Sequence, residues 1–441
     1  MFKKKIFIKT FGCQMNKYDS KKIIDILSEK YFIKLVSDIE ESDIILFNTC
    51  SIRKKSQEKF FSNLGKISCL KKSNSNLVIC VGGCIASQEG INIIKKAPYV
   101  DIVFGPQTIH KLPGMIYKNL KKKNKQIDIS FPEIDKFDSL PLSKSNSPTA
   151  FVSIMEGCSK YCSFCIVPYT RGQEISRPFE DILLEIADLT EQGVKEIILL
   201  GQNVNAYRGK IENSKNTADL SMLLSYISEF PEIKRIRYTT SHPKEMTEEI
   251  IKSHGYLTKL VPFLHLPIQS GSDKILYLMK RGYSVLEFKN LIKKLREIRP
   301  GISFSSDFII GFPGESEIDF NKTINLIEDI KFDNAFSFIY SKRPGTLSSN
   351  MKDETSLKIK LKRLRKLQII INDQYGKIND SMIGSKQNVL VEGCTKKKNS
   401  ELIGRTENNR LVKFNGSRNL IGKILNLNIE SFHKNIFFGS I

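Results

Sequence analysis

The chain has 441 residues, enough for two to four domains at about 100–200 residues each. At 40% hydrophobic and 26% charged residues it can build ordinary globular cores, and it contains no run of about 18 apolar residues that would span a membrane. Its formal net charge of +22 favours a polyanionic partner, nucleic acid first, although abundant Lys and the absence of Trp also fit a biased genome.

The opening MFKKKIFIKTFGC has no long apolar stretch ending in a small-residue cleavage site. It reads as a first strand rather than a signal peptide, so the cytoplasm is the expected compartment. Residues 1–120 then alternate strand and helix. Strands are predicted at Ile6–Phe11, Asp43–Asn48, Leu77–Val81 and Asp101–Phe104, with helices between them, the first at Lys17–Lys30. Such alternation predicts a doubly wound parallel sheet. Residues 121–149 carry a Lys run and a Ser/Pro-rich stretch and read as a linker.

A second alternating series fills residues 150–378. Its predicted strands are Ala150–Met155, Lys195–Leu200, Arg235–Thr239, Pro262–Leu266, Ile302–Ile310 and Asn334–Tyr340, and a last long helix covers Thr355 to Tyr375. Six strand–helix units predict a partial parallel barrel, since a full eight-unit barrel takes about 250 residues. Residues 379–441 change to short β-rich runs joined by polar turns, which predicts a small all-β barrel of OB-like architecture.

Nine cysteines in a reducing compartment are seldom disulfides and more often hold metal. MEGCSKYCSFCIVPYTRG sets Cys158, Cys162 and Cys165 in C-x3-C-x2-C spacing, in a Gly-containing loop after a strand. Three thiolates in so short a loop suit an iron–sulfur cube with one iron left open. A structural zinc site would want a fourth ligand nearby, and none is in the immediate sequence. Cys13, Cys50 and Cys84 are far apart in sequence, yet each follows a predicted strand. In a doubly wound sheet those carboxyl ends share one edge, where ligands bind. Cys69, Cys80 and Cys394 have no partners at ligand spacing and read as small apolar residues. The five histidines show no clustered metal spacing, though His265 falls at a barrel strand end.

With these motifs the chain resembles the radical S-adenosylmethionine (SAM) methylthiotransferases, most closely their transfer-RNA branch, called MiaB. LLGQNVNAY (Leu199–Tyr207), HLPIQSGSDKILYLMKRGYS (His265–Ser284), FSFIYSKRPGT (Phe336–Thr346) and GRTENNR (Gly404–Arg410) are similar to that branch. The resemblance implies two [4Fe-4S] clusters, one on Cys158, Cys162 and Cys165 that binds SAM, and an auxiliary one on Cys13, Cys50 and Cys84. It implies SAM as both radical source and methyl donor, and a C-terminal RNA-binding TRAM domain. The implied reaction is methylthiolation of carbon 2 of N6-isopentenyladenosine at position 37, in the anticodon stem-loop of a tRNA. An electron-donor protein as partner, a monomeric state and no membrane association complete the expectation. Gln202, Asn203, Asp307 and Gly311 are candidates for SAM contacts, and Arg405, Arg410 and Lys413 for RNA phosphates. Two rivals remain. One is a related methylthiotransferase acting on a ribosomal protein or on threonylcarbamoyladenosine. The other is a non-catalytic iron–sulfur or zinc protein that binds RNA.

Overall fold

A computed structural model describes residues 3–51, 54–131, 137, 141, 143–395 and 400–441. Part of the expected 121–149 linker (132–136, 138–140 and 142) lies outside the described residues. By contacts the chain divides into two compact units. One comprises residues 1–144 with Glu156–Tyr161 and Cys165–Ile175; the other holds Ser145–Met155, Cys162–Phe164 and Ser176–Ile441.

The first unit is built on six parallel strands: β1 (Lys3–Thr10), β2 (Phe32–Leu35), β3 (Ile44–Thr49), β4 (Val78–Gly83), β5 (Ile102–Phe104) and β6 (Gln126–Asp128). Their order is β2-β1-β3-β4-β5-β6. Strands β3 and β4 are buried along their whole length, as apolar runs flanked by helices on both faces should be. Two edge strands were not predicted. FIKL is largely exposed, and QID is a polar triplet in the stretch read as linker, so neither carries a buried-strand pattern. The sheet order reverses between β1 and β3, which makes their carboxyl ends the ligand-binding crevice of this topology.

The second unit contains six parallel strands at Thr149–Ser153, Glu196–Leu200, Arg235–Tyr238, Phe263–His265, Ser303–Ile310 and Asn334–Ile339. They form two three-stranded sheets, and Ile236 of the third strand bridges to Leu260, three residues ahead of the fourth. Among the described residues no ladder joins the first strand to the sixth, so this is the expected partial barrel. Its helices begin at strong caps. Ser284 and Ser316 each close a capping box, with Glu287 and Asp319 respectively.

The last helix is longer than predicted, Leu357–Met382. Met382 packs into the core of the C-terminal domain, a closed five-stranded barrel formed by Lys386–Cys394, Glu401–Thr406, Leu411–Asn415, Ile424–His433 and Ile436–Ser440. Tertiary packing of Met382 prolongs a helix whose polar tail, KINDSM, weakens the sequence signal.

His254 lies fully buried in the second unit, 2.6 Å from the Tyr238 hydroxyl, and burial depresses its pKa to about 3. The unfolded chain takes up a proton near pH 6.5 that the folded chain refuses, so this group withdraws stability as pH falls below 6.5. Between pH 7 and pH 5 the expected loss is about 2 kcal/mol. Urea unfolding at both pH values, for wild type and His254→Gln, checks this. A variant as acid-sensitive as the parent would show that His254 is not responsible.

Candidate iron–sulfur and SAM site

Strand β1 ends at Thr10, paired with Asn48 of β3, and Thr49 of β3 pairs with Gly83 of β4. Cys13, Cys50 and Cys84 leave these three adjacent strands at one edge. Cys13 is the N-cap of helix Gln14–Lys30, yet its side chain makes no capping bond. At a position usually held by Ser, Thr, Asp or Asn, the thiol instead donates to Asn16 Oδ1 at 3.2 Å and leaves the helix N–H groups uncapped by it. Two glycines permit the close approach. A Cβ on Gly12 would stand 2.5 Å from Cys50 Sγ, and one on Gly83 would stand 2.3 Å from the Thr49 carbonyl. Both have positive φ, +104° and +92°.

Cys50 and Cys84 are buried and Cys13 is half-buried, in a polar setting. The Cys13 thiol is lowered to about 6, first by its hydrogen bond with Cys50, against a desolvation that would raise it. Arg171 and the Asn16 backbone N–H also favour the thiolate. Burial raises the Cys84 thiol, and Arg171 opposes that shift. The Asn16 side chain donates to the Thr49 carbonyl at 2.7 Å, and Asn48 donates to the Asn16 carbonyl at 2.9 Å, stitching the loops after β1 and β3 together. Soft sulfur donors, glycines that admit a bulky object, and a buried cation all fit an anionic iron–sulfur cluster.

The C-x3-C-x2-C loop divides between the units. Cys158 belongs with the first, where its N–H donates to the Gly172 carbonyl at 3.2 Å. Gly157 turns there with φ +79°, and a Cβ would fall 1.9 Å from the Gln173 carbonyl. Cys162 belongs with the second and is buried. Arg281 Nη1 lies 3.4 Å from its sulfur, while Arg281 Nη2 holds the Pro267 carbonyl at 2.7 Å. Arg281 and Arg171 are buried cations close to the cysteine groups to which the sequence reading assigned no role. Both sit inside quoted motif strings, KRGYS and PYTRG, so the signal was present without an assigned role. Among the described residues no three Cys, His, Asp or Glu side chains close on a point as ligands of a single ion do.

The SAM candidates separate. Asn203 is buried at the end of strand Glu196–Leu200, in a loop joined to the loop after Tyr238 by Asn205 and His242. Gln202 precedes it, half-buried. Asp307 is half-buried, 3.5 Å from His265 Nε2, and His265 Nδ1 lies 2.7 Å from Ser305 Oγ. Gly311 has φ +69°, and a Cβ there would strike Lys360 of the last helix at 2.5 Å. Its glycine is therefore required by turn and packing.

Of the RNA candidates, Arg405 is partly exposed and pairs with Glu392 at 3.2 Å, and Lys413 pairs with Glu401 at 3.2 Å. Arg410 is buried, stacked 4.8 Å over the Tyr375 ring and donating to the Asp333 carbonyl at 3.4 Å. Its guanidinium holds the β-barrel against the core. Cys80 lies in the sheet core, Cys69 is exposed, and Cys394 is half-buried at a strand end.

The fold and the cysteine loop define a radical SAM protein with an N-terminal sheet domain and a C-terminal β-barrel. Residues 5–105 match Uncharacterized protein family UPF0004, 152–327 the Radical SAM superfamily and 380–441 the TRAM domain. The radical SAM family implies a [4Fe-4S] cluster and SAM. The chain is 58% identical over 437 residues to the tRNA-2-methylthio-N(6)-dimethylallyladenosine synthase of Bordetella avium, covering 99% of this chain and 92% of that one. It is 54% identical over 445 residues to the protein of that name from Cupriavidus necator, covering 99% of both. It therefore belongs to the tRNA-2-methylthio-N(6)-dimethylallyladenosine synthase family. Among solved structures, the radical SAM methyltransferase TsrM from Kitasatospora setae aligns with TM-score 0.59 at 12% identity, over 79% of this chain and 77% of that one. The radical SAM enzyme OxsB, with aqua-cobalamin bound, aligns with TM-score 0.52 at 14% identity, over 83% of this chain and 56% of that one. At such identities these two speak for the fold alone. Among the described residues, no helix is long and apolar enough to cross a membrane.

Proposed function

We propose that this protein converts N6-isopentenyladenosine at position 37 of tRNA to its 2-methylthio derivative. The observation that carries the reading is the placement of Cys13, Cys50 and Cys84 just past the ends of three adjacent strands, in a chain that also bears the C-x3-C-x2-C loop. Near-full-length relatives named for this product support it. In this reading Cys158, Cys162 and Cys165 hold one four-iron cluster, and the three dispersed cysteines hold a second.

When bound, SAM and the two clusters supply the radical, the sulfur and the methyl group. The protein's own residues bind and orient. Arg281 keeps the Cys162 sulfur in place through its hydrogen bond. Gln202 and Asn203 stand at the end of strand Glu196–Leu200 as contacts for the amino-acid portion of SAM. Asp307 is a further SAM candidate, its carboxylate oriented by His265. An anticodon loop already presents splayed bases, which lowers the cost of exposing carbon 2 of the adenine. Arg405 and Lys413 are the candidate phosphate contacts, each exchanging a carboxylate partner for RNA. A cytoplasmic monomer served by an electron-donor protein completes the proposal.

The test is anaerobic reconstitution followed by incubation with SAM, a reductant and isopentenylated tRNA. The expected results are about eight irons per chain and 2-methylthio-N6-isopentenyladenosine in the digested nucleosides. Tightly bound zinc with no SAM cleavage would overturn the reading. SAM cleavage with product only on threonylcarbamoyladenosine or on a ribosomal protein would move the activity to a different acceptor.

A further inference from the structure

Arg171 closes the short helix Val167–Arg171, six residues after Cys165, and is only 3% exposed. It belongs to the first unit, among residues that precede it by up to 152 positions. Its Nη1 donates to Glu156 Oε1 and its Nη2 to Asp19 Oδ2, both at 2.6 Å. The helix Cys84–Glu89, which begins at the third dispersed cysteine, packs against the helix Val167–Arg171, and the positive charge of the guanidinium favours the thiolates of Cys84 and Cys13. Its backbone is pinned as well, since Gln107 Nε2 donates to the Arg171 carbonyl at 2.6 Å. Glu156 and Asp19 are themselves almost fully buried, at 2% and 1% exposure.

Burying a guanidinium costs several kcal/mol, which two short carboxylate contacts offset only when the geometry is good. Exposed ion pairs would satisfy both carboxylates at less cost. The arrangement becomes economical if a further negative charge shares the cation, and the sulfurs of Cys84 and Cys13 are groups within its field that can carry one. An iron–sulfur cluster gains negative charge on reduction. Its potential responds to nearby charge and to hydrogen bonds on its sulfurs.

We propose that Arg171 is the positioning residue of the auxiliary cluster. The radical SAM motif segment supplies it against the helix that starts at Cys84, held by Asp19 and Glu156, and its positive charge favours the reduced state of that cluster. This inference rests on the two-cluster reading above.

The experiment uses the full-length protein with Cys158, Cys162 and Cys165 replaced by Ala, so that only the auxiliary cluster is assembled. After anaerobic reconstitution, iron content and an electron paramagnetic resonance redox titration are measured for Arg171, Arg171→Lys and Arg171→Gln. Arg171→Gln is expected to shift the one-electron equilibrium about tenfold against the reduced state, about 59 mV to lower potential. Arg171→Lys should recover most of that shift, because it keeps the charge. Asp19→Asn removes a counter-charge and leaves the arginine in place, so it should raise the potential, and it decides the matter if Arg171→Gln loses its iron. Unchanged potentials in Arg171→Gln at full iron, or in Asp19→Asn, would overturn the proposal. A parent lacking iron altogether would instead bring down the two-cluster reading.

Discussion

Cys50→Ala is expected to cleave SAM at a rate within about threefold of the parent and to form at least about a hundredfold less methylthiolated RNA. Cys50 is 1% exposed, at the end of β3, and its side chain is in contact with the Cys13 turn. In the proposed two-cluster reading, removing its sulfur takes one of three ligands from the auxiliary site and leaves the C-x3-C-x2-C loop complete. Cys162→Ala should do neither reaction, because it removes the sulfur that Arg281 orients within the second unit. One reaction mixture gives both answers when deoxyadenosine and the modified nucleoside are separated by chromatography. Normal methylthiolation by Cys50→Ala would show that the dispersed cysteines do not form the sulfur-delivering site. Loss of deoxyadenosine from Cys50→Ala, with the other cluster spectroscopically intact, would show that the two sites do not divide the labour.

The second large effect concerns how the C-terminal barrel is held. Arg235 is 2% exposed and donates to the Arg405 and Asn388 carbonyls, each at 2.8 Å. Arg237 pairs with buried Glu196 and donates to the Thr406 carbonyl at 2.8 Å and the Glu407 carbonyl at 2.7 Å. Arg237→Ala would leave a buried carboxylate without its cation and two carbonyls without a donor, a loss of about 3–5 kcal/mol. Arg405→Ala, which breaks a partly exposed pair, should cost at most about 1 kcal/mol. Urea unfolding compares the two, and limited proteolysis near residue 383 reports release of the barrel. Equal effects from both substitutions would show that the Arg237 contacts to the barrel backbone contribute little. Deleting residues 380–441 removes the same acceptors along with Met382, so truncation would disturb the core together with any RNA contact. Charge reversal at Arg405 and Lys413 is the cleaner probe of phosphate binding.

Much of the site was legible because its chemistry is local. Cys158, Cys162 and Cys165 declare themselves by spacing, and TFGC, NTC and GGC each place a cysteine just past a strongly apolar strand. Strands β3 and β4 were readable for a similar reason: strands buried on both faces are continuous apolar runs. Edge strands such as β2 and β6 are short and solvated, and nothing in FIKL or QID distinguishes them from loop.

By itself, the sequence determined the three-domain order, the two cysteine groups and the basic character of the chain, since each depends on residue type at a fixed spacing. Tertiary structure decided what each cation does. Arg171, Arg235, Arg237 and Arg410 look like ordinary members of a basic chain with 69 Lys and Arg. All four are buried, committed to carboxylates, carbonyls or an aromatic ring far away in sequence. A guanidinium binds phosphate when it is exposed and organises a core when it is enclosed, and enclosure arises from contacts between segments that no local pattern records.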